Sequence, residues 1–337
     1  MGEKILARTD LDRFFDRLRA AGTLFVPAED ADGEATLTDA PHAGAAVLDF
    51  TNFRVPPKAF FFPQNQTLIR FRSGRAEEPD QPDRGPRFIF GIRPCDAKAL
   101  LALDDVFLGG DCRDPYYAER RASTTVIALA CERPASTCFC TSVGGGPCDA
   151  AGSDVLAVAI EAGFLLSAHT PRGEALLASV PDLLADADAE AVDQASGLRR
   201  HAEETIAPLK LDGIAERLRH AWDSPVWETI GRQCLGCGVC SFLCPTCHCF
   251  DITDEVRGDR GRRVRTWDSC AYPLFTLHAS GHNPRPKPQE RCRQRIMHKF
   301  RYAQETFGRP FCVGCGRCVR NCPAGLDLRT VISHLGV

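Results

Sequence analysis

An α+β fold in two parts is predicted by three observations. Up to residue 196, short apolar strand-like runs alternate with helical patterns and with Pro-, Gly- and Asp-rich turns. A helical pattern then runs from about Gly197 to Trp222, and beyond it eight of the chain's 18 cysteines repeat one spacing twice. The expected division is a mixed α/β domain over residues 1–196. A helical bridge and a cysteine-rich domain with a long insertion follow over residues 197–337.

The first element is an amphipathic helix over Thr9–Ala21, with Leu11, Phe14, Phe15 and Leu18 at helical spacing. Thr9 or Asp10 stands ready to cap its start and Gly22 to end it. Strands are expected at Thr23–Val26, Ala59–Phe62, Thr67–Phe71, Phe88–Ile92 and Thr125–Leu129, with a solvated loop over 74–86. Arg93-Pro94-Cys95-Asp96 reads as a tight turn into a helix over Ala97–Val106 that Asp96 caps. Val155–Ile160 and Phe164–Ala168 flank a Glu-Ala-Gly turn and read as a hairpin. An Asp- and Ala-rich stretch, 182–196, leads into the bridge.

The repeated spacing is Cys234-x2-Cys237-x2-Cys240-x3-Cys244-Pro245, then Cys312-x2-Cys315-x2-Cys318-x3-Cys322-Pro323. A cubane cluster needs four thiolates on four iron corners, and one tight loop supplies three of them when every third residue is a cysteine. In the bacterial ferredoxin run the fourth cysteine serves the other cluster. Cys234, Cys237, Cys240 and Cys322 are therefore expected to hold one [4Fe-4S] cluster, and Cys312, Cys315, Cys318 and Cys244 a second. Gly236, Gly238, Gly314 and Gly316 supply backbone freedom where the loops wrap closely. Pro245 and Pro323 stop helices from running through the crossing ligands. Paired zinc sites are the alternative chemistry, but zinc usually takes C-x2-C pairs set further apart than four thiols in eleven residues.

Ten cysteines remain. Cys95 sits at a strand-to-helix turn, and Cys131, Cys138 and Cys140 follow the strand at Thr125; both are loop ends of the kind that bind cofactors. These four make a candidate set for a third [4Fe-4S] cluster, with spare or structural thiols as the other reading. Cys112 and Cys148 are further candidates if the set differs. Between the two runs, Cys247, Cys249 and Cys270 lack an evident fourth ligand. Packing as compact apolar residues is the favoured reading for them, against an extra metal centre or a reducible thiol pair. Cys292 reads as incidental. Around it, Arg285, Lys287, Arg291, Arg293, Arg295, Lys299 and Arg301 form a basic segment that can raise a cluster's potential, dock an acidic partner, or simply face solvent.

At 337 residues and 44% hydrophobic content the chain has the makings of a sizeable core, and a formal charge of -3 gives no sign of a nucleic-acid partner. The opening MGEKILARTDLDRFFDRL lacks a signal peptide's apolar stretch, so a reducing, cytoplasmic setting is expected, with no membrane span. No G-x-G-x-x-G between strand and helix and no Walker loop marks a nucleotide site, and Gly144-Gly145-Gly146 reads as a loop. Substrate chemistry is expected in another chain.

With GIRPCDAKALLALDDVF, DPYYAERR, CERPASTCFC, CPTCHCFD, WDSC, GHNPR and MHKF added to the two runs, nearly the whole chain resembles the beta subunit of soluble NAD(P)-linked sulfhydrogenases, the group 3b [NiFe]-hydrogenases. The iron-sulfur electron-transfer subunit of anaerobic sulfite reductase is similar. The resemblance implies a non-catalytic, iron-sulfur electron-transfer subunit of an oxidoreductase complex. Its partners would be a flavin subunit that binds NAD(P)H and a catalytic hydrogenase subunit, or else sulfite reductase subunits. A different class of reading makes the chain itself bind flavin or a thiol substrate near Cys131, Cys138 and Cys140. His248 departs from the aromatic expected in CPTCFCFD, which puts a titratable group near a cluster without altering ligation.

Overall fold

The computed structural model describes residues 2–39, 46–77 and 85–335. In chain order its strands are β1 (Lys4–Ala7), β2 (Thr23–Glu29), β3 (Ala35–Thr38), β4 (Asn65–Arg72), β5 (Arg75–Glu77) and β6 (Arg87–Ile92). They continue as β7 (Thr124–Leu129), β8 (Val155–Ile160), β9 (Gly163–Ala168), β10 (Leu184–Asp186), β11 (Phe250–Arg257) and β12 (Arg260–Trp267). The chain forms two compact units: Met1–Pro57, Gly85–Leu209 and Val313–Gly316 make the first, and Lys58–Arg84, Lys210–Cys312 and Arg317–Val337 the second. The expected boundary at 196/197 falls inside a helix, Ala189–Glu204, which Asp188 caps.

The first unit is built on a mixed sheet in the order β10-β1-β9-β8-β7-β6-β2-β3. Its centre, β2, β6, β7 and β8, is parallel, and antiparallel strands close both sides. Every residue of β6 and β7 is buried, which is why these strands read as unbroken apolar runs. The expected hairpin is present, with Val155 opposite Ala168 in β8–β9. Helix Leu11–Ala21 lays Leu11, Phe14, Phe15 and Leu18 on the sheet, where Phe15 meets the edge of Phe90 at 4.9 Å.

The carboxyl end of β6 is re-aimed by a bulge. The pairing of β6 with β7 slips between Phe90 and Ile92, and Gly91 between them adopts φ +84 with Pro27 packed where a Cβ would stand. Arg93 then takes an extended conformation, as residues before proline do, and it caps the helix Pro94–Phe107. Asp96 therefore lies within the first turn and is not the cap expected from the sequence.

The second unit contains an antiparallel sheet in the order β11-β12-β4-β5. The strand expected at Thr67–Phe71 is real, but β4 pairs with β12 from the insertion. Buried Arg265 donates to Gln66 Oε1 at 2.7 Å, and Trp267 Nε1 donates to the Phe62 carbonyl at 3.0 Å. The strand expected at Ala59–Phe62 is instead a 3-10 turn, Pro57–Phe60, whose apolar character reflects the burial of Phe61 and Phe62. Of the loop expected over 74–86, Arg75–Glu77 is strand and 78–84 lies outside the described residues. The single bridging helix expected over Gly197–Trp222 is interrupted after Glu204 by Pro208 and by Gly213 at φ +62. It resumes as Ile214–His220, and Val226–Gln233 follows. Among the described residues, no helix is long and apolar enough to cross a membrane.

Phe90 is fully buried between Phe15 and Phe164. Phe90→Ala should cost about 3–5 kcal/mol of unfolding free energy. Denaturant titration of the iron-loaded protein checks this, and a loss under about 1 kcal/mol would contradict the packing described.

Candidate metal centres

The first cysteine run begins where helix Val226–Gln233 ends, and Gly236 and Gly238 turn it with φ of +67 and +76. Gly238 opens the short helix Val239–Phe242 that carries Cys240. One cavity is lined by Cys234, Cys237 and Cys240 and also by Cys322 of the second run. Backbone donors already point at two of these sulfurs: Gly236 N lies 3.4 Å from Cys234 Sγ, and Leu326 N lies 3.3 Å from Cys322 Sγ. Such bonds are among the levers that set cluster potentials. Cys318 and Cys292 line the same cavity. Cys292 is thus not incidental: its thiol bonds to Cys234 and is the main reason that thiol is pushed down to about 6.

Of the second set, Cys244, Cys312 and Cys318 belong to the second unit and Cys315 to the first. Cys244 Sγ receives Lys299 Nζ at 3.1 Å and lies 3.2 Å from Thr246 Oγ1. Lys299 Nζ also donates to Thr246 Oγ1 and to the Phe311 carbonyl. Burial works against this ammonium, but the sulfurs of Cys244 and Cys247 more than offset it and keep it protonated.

Two more cations surround this region. Lys58 is 3% exposed, donates to the Cys247 carbonyl at 2.7 Å and stands 4.0 Å over the Trp267 ring. Burial pushes its ammonium down to about 8. Arg295 donates through Nη2 to the Cys240 carbonyl at 2.8 Å, while its Nη1 is buried with no protein acceptor. Among the described residues no carboxylate pairs with Lys58, Lys299 or Arg295. Desolvating an ion costs several kcal/mol without a counter-charge, and an orphaned donor adds about 1–3 kcal/mol. A cubane on four thiolates is net negative and carries exposed sulfides that accept hydrogen bonds, so the cradle fits such a group. No three His, Cys, Asp or Glu side chains among the described residues converge tightly enough for a single metal ion.

In the first unit, Cys95, Cys131, Cys138 and Cys140 line one cavity together with Cys315. Cys95 follows β6 and the other three follow β7, at the carboxyl edge of the parallel strands where open α/β sheets bind ligands. Cys138 Sγ lies 3.7 Å from the Cys315 carbonyl, which also receives Asn52 Nδ2 at 3.0 Å. Gly314 at φ +63 allows this approach, because a Cβ there would stand 2.5 Å from Cys140 N. Beneath the cavity Arg93 is buried, donating to the carbonyls of Ala130, Leu129, Leu48 and Phe50 while its Nε finds no partner. Burial raises the Cys131 thiol and pushes Cys140 up to about 12, the neighbouring Cys138 adding to the latter. Cys148 and Cys112 are not among the residues lining this cavity. None of the 18 cysteines is in a disulfide.

Lys58, Arg93 and Asn52 do not stand out in the sequence as site residues. Arg93 carries a usable signal, an arginine immediately before the Pro-Cys of a strand-to-helix turn, whereas Lys58 in the 3-10 turn and Asn52 in a loop follow no spacing rule.

Residues 233–326 match the 4Fe-4S dicluster domain family, a span that takes in both cysteine runs and the insertion between them. The chain therefore carries two [4Fe-4S] clusters. Over 326 residues it is also 31% identical to the sulfhydrogenase 2 subunit beta of Pyrococcus furiosus, an alignment covering 96% of this chain and 95% of that one.

Stripping iron anaerobically leaves Lys58, Lys299 and Arg295 with only the protein's own sulfurs and carbonyls against them. The stripped protein should unfold about 10 °C or more below the loaded form. Differential scanning calorimetry checks this, and coincident transitions would show that the cations are compensated some other way.

Proposed function

Because the chain belongs to the sulfhydrogenase beta-subunit family, we propose that it is the electron-transfer subunit linking a flavin subunit that binds NAD(P)H to a catalytic [NiFe]-hydrogenase subunit. The clusters supply reversible one-electron storage. The observation that carries the reading is the convergence of Cys234, Cys237 and Cys240 with Cys322 on one cavity. That convergence supports ligation of one cube by these four, and the repeated spacing leaves Cys312, Cys315, Cys318 and Cys244 for the other.

The chain's own residues set the working conditions of such a relay. Lys299 holds a positive charge against Cys244 in both redox states, which favours the reduced, more negative form. Arg295 and Arg291 line the first cavity, and Arg291 is fixed by the carbonyls of Ala271, Arg285 and Pro286. Cations held this firmly need little reorganisation as an electron arrives, which suits fast transfer. The cavity of Cys95, Cys131, Cys138 and Cys140, with Arg93 beneath it, supports a third [4Fe-4S] cluster in the first unit.

Three outcomes test this reading. In the purified complex, Cys237→Ser or Cys315→Ser should abolish NAD(P)-linked hydrogen turnover and spare hydrogen-dependent dye reduction by the hydrogenase partner. Full retention of both activities would remove the proposal. Lys299→Met should lower one cluster potential by on the order of 50 mV in an EPR-monitored titration. Cys95→Ala combined with Cys138→Ala should lose about four irons per chain relative to wild type, and an unchanged count would leave the first unit without a cluster.

A further inference from the structure

Cys247, Cys249 and Cys270, which read as packing residues in the sequence, are brought together by the insertion's hairpin. Phe250 pairs with Trp267 at the base of β11–β12, and Asp268 N donates to the Cys249 carbonyl at 3.0 Å. The Cys249 thiol thereby reaches a hydrogen bond with Cys270, although the two are far apart in sequence. Cys247 is two residues before Cys249, and its carbonyl is tied to Lys58. All three line one cavity.

The fourth wall carries a second, independent signal. His298 lines the same cavity and opens a π-helical turn, His298–Tyr302, where helix Pro288–Met297 ends. Such turns are rare, shift side chains out of α register and often mark functional sites. His248 has its Nδ1 against the Thr246 carbonyl at 3.1 Å. No hydrogen bond among the described residues engages either ring nitrogen of His298, whose contacts are edge and tilted packing on His248 and Phe311. Cys244 is committed to the ferredoxin run, so His298 is the donor left over.

We propose that Cys247, Cys249, Cys270 and His298 hold an additional [4Fe-4S] cluster, three corners on thiolates and one on imidazole. The surrounding charge suits it. Arg295 and Lys299 line the cavity, and a cube with three thiolates and one neutral imidazole still carries net negative charge. A zinc ion on the same three cysteines and histidine is the competing occupant, and the metal lost with the cysteines separates the two. The site is a property of the insertion and holds whichever proteins flank the chain.

The test uses the full chain purified anaerobically from cells grown with ¹⁵N-labelled histidine. Cys249→Ala combined with Cys270→Ala should lose about four irons and about four sulfides per chain. That loss should add to the loss from the Cys95, Cys138 pair and leave the dicluster signals in place. Pulsed EPR of the reduced wild type should show a ¹⁵N coupling that vanishes in His298→Cys, a variant that keeps its iron because a thiolate replaces the imidazole. If the alanine pair destabilises the fold, His298→Cys alone decides the matter. Unchanged iron in the alanine pair, loss of zinc in place of iron, or a coupling indifferent to His298→Cys would overturn the proposal. None of these results bears on NAD(P)-linked turnover through Cys237 and Cys315, so the two readings fail separately.

Discussion

Three buried or half-buried cations, with no carboxylate partner among the described residues, govern the second unit. Lys58 and Lys299 are almost fully enclosed, Arg295 carries an orphaned Nη1, and sulfur and carbonyl groups are their neighbours. In an interior of low polarity such an arrangement stands only if negative charge arrives with the cofactor. The two [4Fe-4S] clusters of the dicluster domain bring such charge, which couples iron loading to the stability of this unit. A carboxylate in place of the cluster would satisfy the cations permanently. It would also remove their leverage on the electron, because a charge already neutralised responds weakly to reduction of its neighbour.

The first unit solves a related problem with backbone. Its buried cation, Arg93, is held by four carbonyls at the ends of β7 and of the segment after β3. The bulge at Gly91 turns the chain so that Arg93 points inward and Cys95 lines the cavity. Parallel strands leave their carboxyl ends on one side of the sheet, so loops after β6 and β7 meet there without special contrivance. Three cysteines after β7 and one after β6 occupy that edge.

Much of this is legible in the residues because the spacing rule for cluster ligands is local and strict. The two ferredoxin runs, the buried parallel strands and the β8–β9 hairpin all announce themselves over a few residues. The hairpin β11–β12 does not. Its strand β11 alternates Phe250, Ile252 and Val256 with polar residues but is exposed along its whole length, so the alternation marks no buried face, and ion pairs of Arg262 with Glu255 and Arg263 with Asp254 cross the pairing. Consequently Cys249 and Cys270 look unrelated in the sequence. The fate of Thr67–Phe71 is hidden for a similar reason: a strand's local pattern does not say which distant strand it joins. Pro208 and Gly213, by contrast, are readable breaks in the expected bridge, masked by the helical pattern around them.

Val313–Gly316 completes the first unit although that unit's preceding piece ends at Leu209. A ribosome must therefore synthesise residues 210–312 before the Cys140 loop meets Gly314. Maturation of that cavity is accordingly a late event, dependent on a contact of very high sequence separation and slow to form for that reason. Chains truncated shortly after Cys312 would retain every strand of the first sheet and still lack the piece that closes over its cysteines.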